Sequence, residues 1–134
     1  MEILEKLKQL EENILILKEI KNELSIEQIK EKKRFEWELR YGLFESIQII
    51  IDISCKISST YNLGNPKTYK ECLELLSKFK YIEHELSKKL SSSVGLRNLL
   101  IHEYTTIDIE KLFGFLNFLD DFKSFAKQIK IVID

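Results

Sequence analysis

Glycine and proline are scarce in this chain, with four glycines and one proline among 134 residues. Sheet-rich folds need frequent turns, so the scarcity argues against them and in favour of long helices. Cysteine is almost missing. Cys55 and Cys72 stand alone, with neither CxxC spacing nor a partnering histidine pattern, which excludes a zinc module. Both fall on helical segments and are expected to be buried, reduced thiols of a cytosolic protein. No apolar run is long enough to span a bilayer; the longest, Ile49-Ile50-Ile51, is cut at once by Asp52. No signal peptide opens the chain, because Met1 to Leu10 already sets charges against a helical apolar stripe. A positive excess is missing too. The formal net charge is −1, so contact with nucleic acid would have to rest on a local patch. The densest basic run is Lys30, Lys32, Lys33 and Arg34, but Glu27, Glu31 and Glu36 interleave with it and make it a solvated helix face.

What is present is apolar and charged in globular proportions, 44% and 32%. That composition predicts one folded all-α domain over residues 1–134, an antiparallel bundle of about five helices. A first helix is expected over Glu2 to Asn22, with Ile3, Leu7, Leu10, Ile14 and Leu17 on one stripe. Ser25 and Gln28 read as a capping box for a second helix running from about Ile26 to Thr60. That helix carries two stripes. One is Phe35, Leu39, Leu43, Ile47 and Ile50; the other is Trp37, Tyr41, Phe44, Ile51 and Cys55. One faces the core, and the other needs either more core or a second copy of the chain to cover it. Asn65 and Pro66 suit the N-cap and first position of a third helix. A fourth is expected from Tyr81 or Ile82 into the Arg97 segment, and a fifth from about Asp108 to the C-terminus.

Histidine is rare enough to examine one residue at a time. His84 lies between Glu83 and Glu85 and reads as a solvated helix residue. His102 has other company: Arg97, Asn98 and Tyr104 lie within the same eight residues. Histidine exchanges a proton near neutral pH. Arginine grips a phosphate with a rigid fork of donors and stabilises charge building on it. Tyrosine adds a hydroxyl that can hydrogen-bond a phosphate or be modified. Helical geometry complicates the cluster. At about 100° per residue, Arg97 and Tyr104 share a face, whereas His102 falls well off it. Either the helix bends or ends near His102, or the same motif in a second subunit completes the site. The carboxylates show no metal-binding pattern.

The segment Gly95-Leu96-Arg97-Asn98-Leu99-Leu100-Ile101-His102-Glu103-Tyr104 resembles the signature of the HepT-like ribonuclease toxins, a branch of the HEPN superfamily. The family pattern of Arg, four residues, His, any residue and Tyr is matched in full, and Asn98 supplies the polar residue that HEPN proteins favour after the arginine. Tyr41 to Ile53 resembles the family's second helix with its Ile-Asp-Ile step. Asn65 to Cys72 resembles its loop into the third helix, and Thr106-Ile107-Asp108 the entry to its last.

The resemblance, which covers about residues 34 to 130, implies an all-α HEPN-like homodimer with the two motifs near the dimer cleft. It implies an endoribonuclease that works without metal or other cofactor, in which the RNA 2′-hydroxyl attacks the neighbouring phosphate. His102 would be the general acid or base and Arg97 the stabiliser of the transition state. Asn98 would orient the phosphate or the histidine, and Tyr104 would support the site. It also implies a toxin–antitoxin system whose partner is an MntA-type nucleotidyltransferase, with Tyr104 as the residue it adenylylates. Two copies of Arg97 in one cleft, helped by Lys88 and Lys89 or by Arg40, would supply the positive potential that RNA needs. The alternatives are a non-catalytic HEPN module that binds RNA, a nucleotide or a nucleotidyltransferase, and a purely structural helical dimer. The last accounts for the apolar stripes but not for the polar cluster.

Overall fold

The structure, a computed structural model, describes residues 2–102 and 106–133. Among these residues every regular element is helical, as the poverty of turn residues predicts. α1 spans Glu2–Glu23 and buries Leu7, Leu10, Ile14, Leu17 and Ile20. α2 is Ile26–Glu31, opened by the expected capping box, in which Ser25 Oγ accepts from the Gln28 backbone N–H. α3 is Lys33–Thr60, the central helix against which α1, α4 and α5 all pack. α4 is Tyr69–Lys78 and α5 is His84–Leu100. α6 is Ile109–Gly114, followed by a 3-10 turn at Phe115–Phe118 and by α7 at Leu119–Ile133. No described helix is long and apolar enough to cross a membrane.

The structure differs from the helix expectations at four junctions. The predicted helix from Ile26 to Thr60 breaks at Lys32, whose backbone is extended (φ −125°, ψ 113°). Lys30, Lys33 and Arg34 would stack like charges three and four apart in a continuous helix, which disfavours it. The break also lets α2 bury Ile29 and reach α6, where Lys30 pairs with Glu110 at 3.2 Å. The cap of α4 is Thr68, not Asn65. Thr68 Oγ1 accepts from the Glu71 backbone N–H at 3.2 Å, and Glu71 stands at the capping-box position. α5 starts at His84, later than expected, because Lys80 takes a left-handed conformation (φ 65°) that ends the α4 turn. The last helix is divided by its 3-10 turn, whose three-residue period eclipses Phe115 and Phe118 and stacks their rings at 5.5 Å.

The cysteines also depart from expectation. Cys55 of α3 and Cys72 of α4 form a disulfide rather than two reduced thiols. Packing of α4 on α3 brings their Cα atoms to 5.0 Å, within bridging range. The bond closes a separation of 17 residues; chain-entropy reasoning gives such a cross-link about 3 kcal/mol of stabilisation.

Packing explains why the second stripe of α3 is two things at once. Leu39, Leu43, Ile47 and Ile50 are buried as expected, and so is Ile51 near the C-terminal half. Trp37 and Tyr41, in the N-terminal half, stay 60% and 64% exposed. Gly42 sits between these regimes. A Cβ there would lie 2.8 Å from Leu17 Cδ2, so the absent side chain lets α1 approach α3 closely. Three serines buried on α3 (Ser46, Ser54 and Ser58) donate to the carbonyls four residues back, which satisfies their hydroxyls inside an apolar helix.

Candidate active site

Arg97 lies in the last turn of α5, half-buried. Its guanidinium is held from three directions. Nε donates to Gln48 Oε1 of α3 at 2.8 Å, and Nη1 donates to Asn98 Oδ1 at 3.1 Å. The Tyr69 ring of α4 lies 5.0 Å from the guanidinium carbon, and the Phe44 ring of α3 lies 6.0 Å from it. Cation–π contact and a fixed hydrogen bond together remove much of the rotamer freedom of a long side chain. Gln48 is itself oriented, because its Nε2 donates to Asp52 Oδ1 at 2.8 Å. Asp52 in turn pairs with Lys6 of α1 at 3.7 Å. A polar line therefore runs from α1 through α3 to the end of α5.

The chain turns off the helix axis just beyond. The Ile101 backbone N–H donates to the Arg97 carbonyl at 3.2 Å, and the His102 N–H donates to the Leu99 carbonyl at 3.3 Å. That shift from four-residue to three-residue spacing closes α5 at Leu100. His102 is exposed and lies two residues past the helix end. α5 thus ends between Arg97 and His102. Tyr104, the remaining residue of the motif, lies outside the described residues.

Asn98 is exposed beside Arg97. His84 is a surface residue, its Nδ1 3.3 Å from Ser77 Oγ. The lysines expected to help Arg97 are engaged elsewhere: Lys88 with Glu85 at 3.9 Å and Lys89 with Asp121 at 3.8 Å. Both also sit eight or nine residues before Arg97, roughly 12 Å along the helix axis. Arg40 pairs with Glu36 at 3.5 Å. Sequence reasoning passed over Gln48 and Tyr69 as parts of the site. Gln48 did leave a trace, because Gln48 and Asp52 are polar residues four apart inside an otherwise apolar stretch of a central helix.

A family model described as "Ribonuclease HepT-like" matches residues 10–129. The chain belongs to the HepT-like ribonuclease family. Among curated HepT-like relatives, the "tRNA nuclease HepT" of Aphanizomenon flos-aquae (strain 2012/KM1/D3) is 36% identical over 83 residues, 61% of this chain and 56% of that protein. The "mRNA nuclease HepT" of Shewanella oneidensis is 32% identical over 81 residues, 60% of this chain and 61% of that protein. The matched stretch thus spans less than two thirds of either relative. Solved structures match over more of the chain. The tri-AMPylated Shewanella oneidensis HEPN toxin, solved in complex with an MNT antitoxin, superposes with a TM-score of 0.86 at 25% identity and 96% coverage of both chains. The cytosolic protein YutE of Bacillus subtilis superposes at 0.87 with 16% identity, covering 98% of this chain and 88% of its own; it supports the HEPN-like fold alone.

Proposed function

We propose that this HepT-like chain is a metal-independent endoribonuclease toxin of the cytoplasm, silenced by an MntA-like nucleotidyltransferase that adenylylates Tyr104. The observation that carries the catalytic reading is the Arg97 guanidinium, fixed by Gln48 and Tyr69 beside Asn98, one turn before the helix ends and His102 emerges. Preorganised donors stabilise developing charge because they need not reorient during the reaction.

In this reading the 2′-hydroxyl of one nucleotide attacks the adjoining phosphorus. Its proton passes to a base, and the bond to the 5′-oxygen breaks as that oxygen gains a proton. The products are a 2′,3′-cyclic phosphate and a free 5′-hydroxyl. His102 serves as the general acid or base. Arg97 stabilises the extra charge on the phosphorane-like oxygens, and Asn98 orients the phosphate or the histidine. Tyr104 supports the site until it is modified.

A homodimer belongs to the same proposal. Trp37, Tyr41, Phe44 and Gln48 recur along α3 at helical spacing, and the first two are exposed. A second copy covering that face would place two Arg97 sites along one cleft.

The test is cleavage of RNA by purified protein in excess EDTA, with the product ends identified. Cyclic phosphate termini are expected. Binding of RNA or of a nucleotidyltransferase without cleavage would instead assign the chain to the non-catalytic HEPN modules.

Gln48 is a positioning residue in this scheme. Gln48→Leu removes the acceptor for Arg97 Nε, and kcat is expected to fall about 10- to 100-fold, the range that a hydrogen bond to a charged group supports. Gln48→Glu keeps an acceptor at nearly the same reach and is expected to recover most of the loss. If Gln48→Leu melts like the parent and cuts RNA at the parent's rate, Gln48 has no such role.

A further inference from the structure

A second concavity borders the Arg97 cluster and has no part in the scheme above. It is a cleft of about 570 Å³ between the turn leading into α4 and the last turns of α5. Pro66, Lys67, Thr68, Tyr69 and Lys70 line one side, and Asn98 lines the other. The Cys55–Cys72 disulfide, also in the lining, ties α4 to α3 beneath it. Two of the lining residues belong to both places. Tyr69 carries Arg97 over its ring and keeps 39% of its surface exposed. Asn98 accepts from Arg97 and borders the cleft.

The charge of the cleft is distinctive in a chain of net charge −1. Among the described residues its lining holds two lysines and no carboxylate. Lys67 and Lys70 are exposed, and neither forms an ion pair with a described residue. The groove between α1 and α3 is larger, at about 800 Å³, but Glu19, Glu23, Glu38 and Glu45 edge it, and among the described residues its lining holds no lysine or arginine. An anion is therefore drawn to the cleft beside Arg97 and repelled from the groove between α1 and α3. The volume lies within the range of small-molecule pockets, about 300–1,000 Å³. Exposed tyrosine surface beside cationic side chains is the pairing that single-stranded nucleic acid uses, with stacking for the base and charge for the backbone.

We propose that this cleft seats the nucleotide neighbouring the cleaved one, with Lys67 and Lys70 on its phosphate and Tyr69 against its base. The inference rests on the ribonuclease reading and extends it to a substrate subsite. A strand whose phosphate sits at Arg97 passes directly into the cleft, since Tyr69 and Asn98 are shared. The site prefers single-stranded RNA, because a base inside a duplex has its faces stacked on its neighbours and none free to meet Tyr69.

The probe is a single-stranded oligoribonucleotide made uncleavable by 2′-O-methylation, titrated against the protein over a salt series. Cleavage of the unmodified strand is measured in parallel. The Lys67→Ala/Lys70→Ala double variant is expected to bind about threefold to tenfold more weakly at low salt. Its log Kd against log salt slope should be shallower by about 0.7, the value for one single-strand phosphate no longer neutralised. KM should rise while kcat stays within about twofold of the parent. The Lys8→Ala/Lys127→Ala variant removes the same charge from exposed positions elsewhere and should keep the parent's slope. Equal slopes for the two double variants overturn the subsite. So does a fall in kcat with KM unchanged, which would put the lysines in the chemistry. If the parent cuts RNA and the slopes are equal, only the cleft assignment fails. If the parent neither binds nor cuts RNA, the ribonuclease reading fails and the subsite with it.

Discussion

Arg97→Ala and His102→Ala should each lower the rate of RNA cleavage by about 10²- to 10⁴-fold, measured at saturating RNA with both proteins folded. The histidine's share follows from acid–base catalysis, for which a positioned group contributes about 10²- to 10⁴-fold. The arginine's share follows from electrostatic stabilisation, where loss of one preorganised donor costs about 10²- to 10³-fold. Because the two groups act on the same phosphate, the double variant should be little slower than the worse single one. Arg97→Lys is also expected to be poor. An ammonium keeps the charge but cannot offer one edge to Gln48 and Asn98 while another meets the phosphate. Arg97 joins three helices, so thermal melting belongs in the same experiment. A variant that has lost cleavage but not melting temperature locates the loss in chemistry. If His102→Ala cuts RNA at the parent's rate, the proposed mechanism fails.

Much of the helical framework was legible from periodicity, and its failures have physical causes. The Leu7–Leu17 and Leu39–Ile50 stripes are buried as their spacing requires. The break at Lys32 was hidden because Glu31, Lys32 and Lys33 are all good helix formers; packing of Ile29 and α6 overrides that preference. Asn65-Pro66 looked like a helix start, but the cap forms three residues later, where the Thr68 hydroxyl accepts from the Glu71 N–H. The disulfide was invisible because residues 17 apart reveal no proximity until α3 and α4 pack. In the site, Arg97 and Asn98 could be read directly, since adjacent residues need no fold to bring them together. Gln48 could not, because it reaches Arg97 across 49 positions of sequence.

The near-neutral net charge, which weighed against any RNA enzyme, looks different once the charges have places. Glu19, Glu23, Glu38 and Glu45 collect along the α1–α3 groove, while Lys67 and Lys70 line the cleft beside Arg97. Opposite signs in separate concavities cancel in the sum yet leave a local field. Salt screens such a field over about 10 Å at moderate ionic strength, so it acts at docking distance and not before. Lys88 and Lys89, by contrast, stand in ion pairs and contribute less than their proximity in sequence implied.

Modification of Tyr104 should abolish cleavage as fully as loss of His102 does. Each added AMP brings a phosphodiester, and therefore negative charge, to the motif proposed to bind phosphate. It also brings a nucleoside large enough to fill nearby space. Like-charge repulsion and steric exclusion then act together against RNA. The relative from Shewanella oneidensis was solved in a tri-AMPylated state in complex with an MNT antitoxin. Co-expression with a nucleotidyltransferase of the MntA type, followed by mass spectrometry, should find AMP on Tyr104 and RNA cleavage reduced by at least about 10²-fold, the loss expected when acid–base catalysis is blocked. Tyr104→Phe removes the acceptor hydroxyl while keeping the ring. It should stay active beside the nucleotidyltransferase and remain unmodified. The parent's modified form should regain activity when a phosphodiesterase removes the AMP. If Tyr104→Phe is silenced as completely as the parent, control comes from occlusion in the complex, and the tyrosine is not the switch.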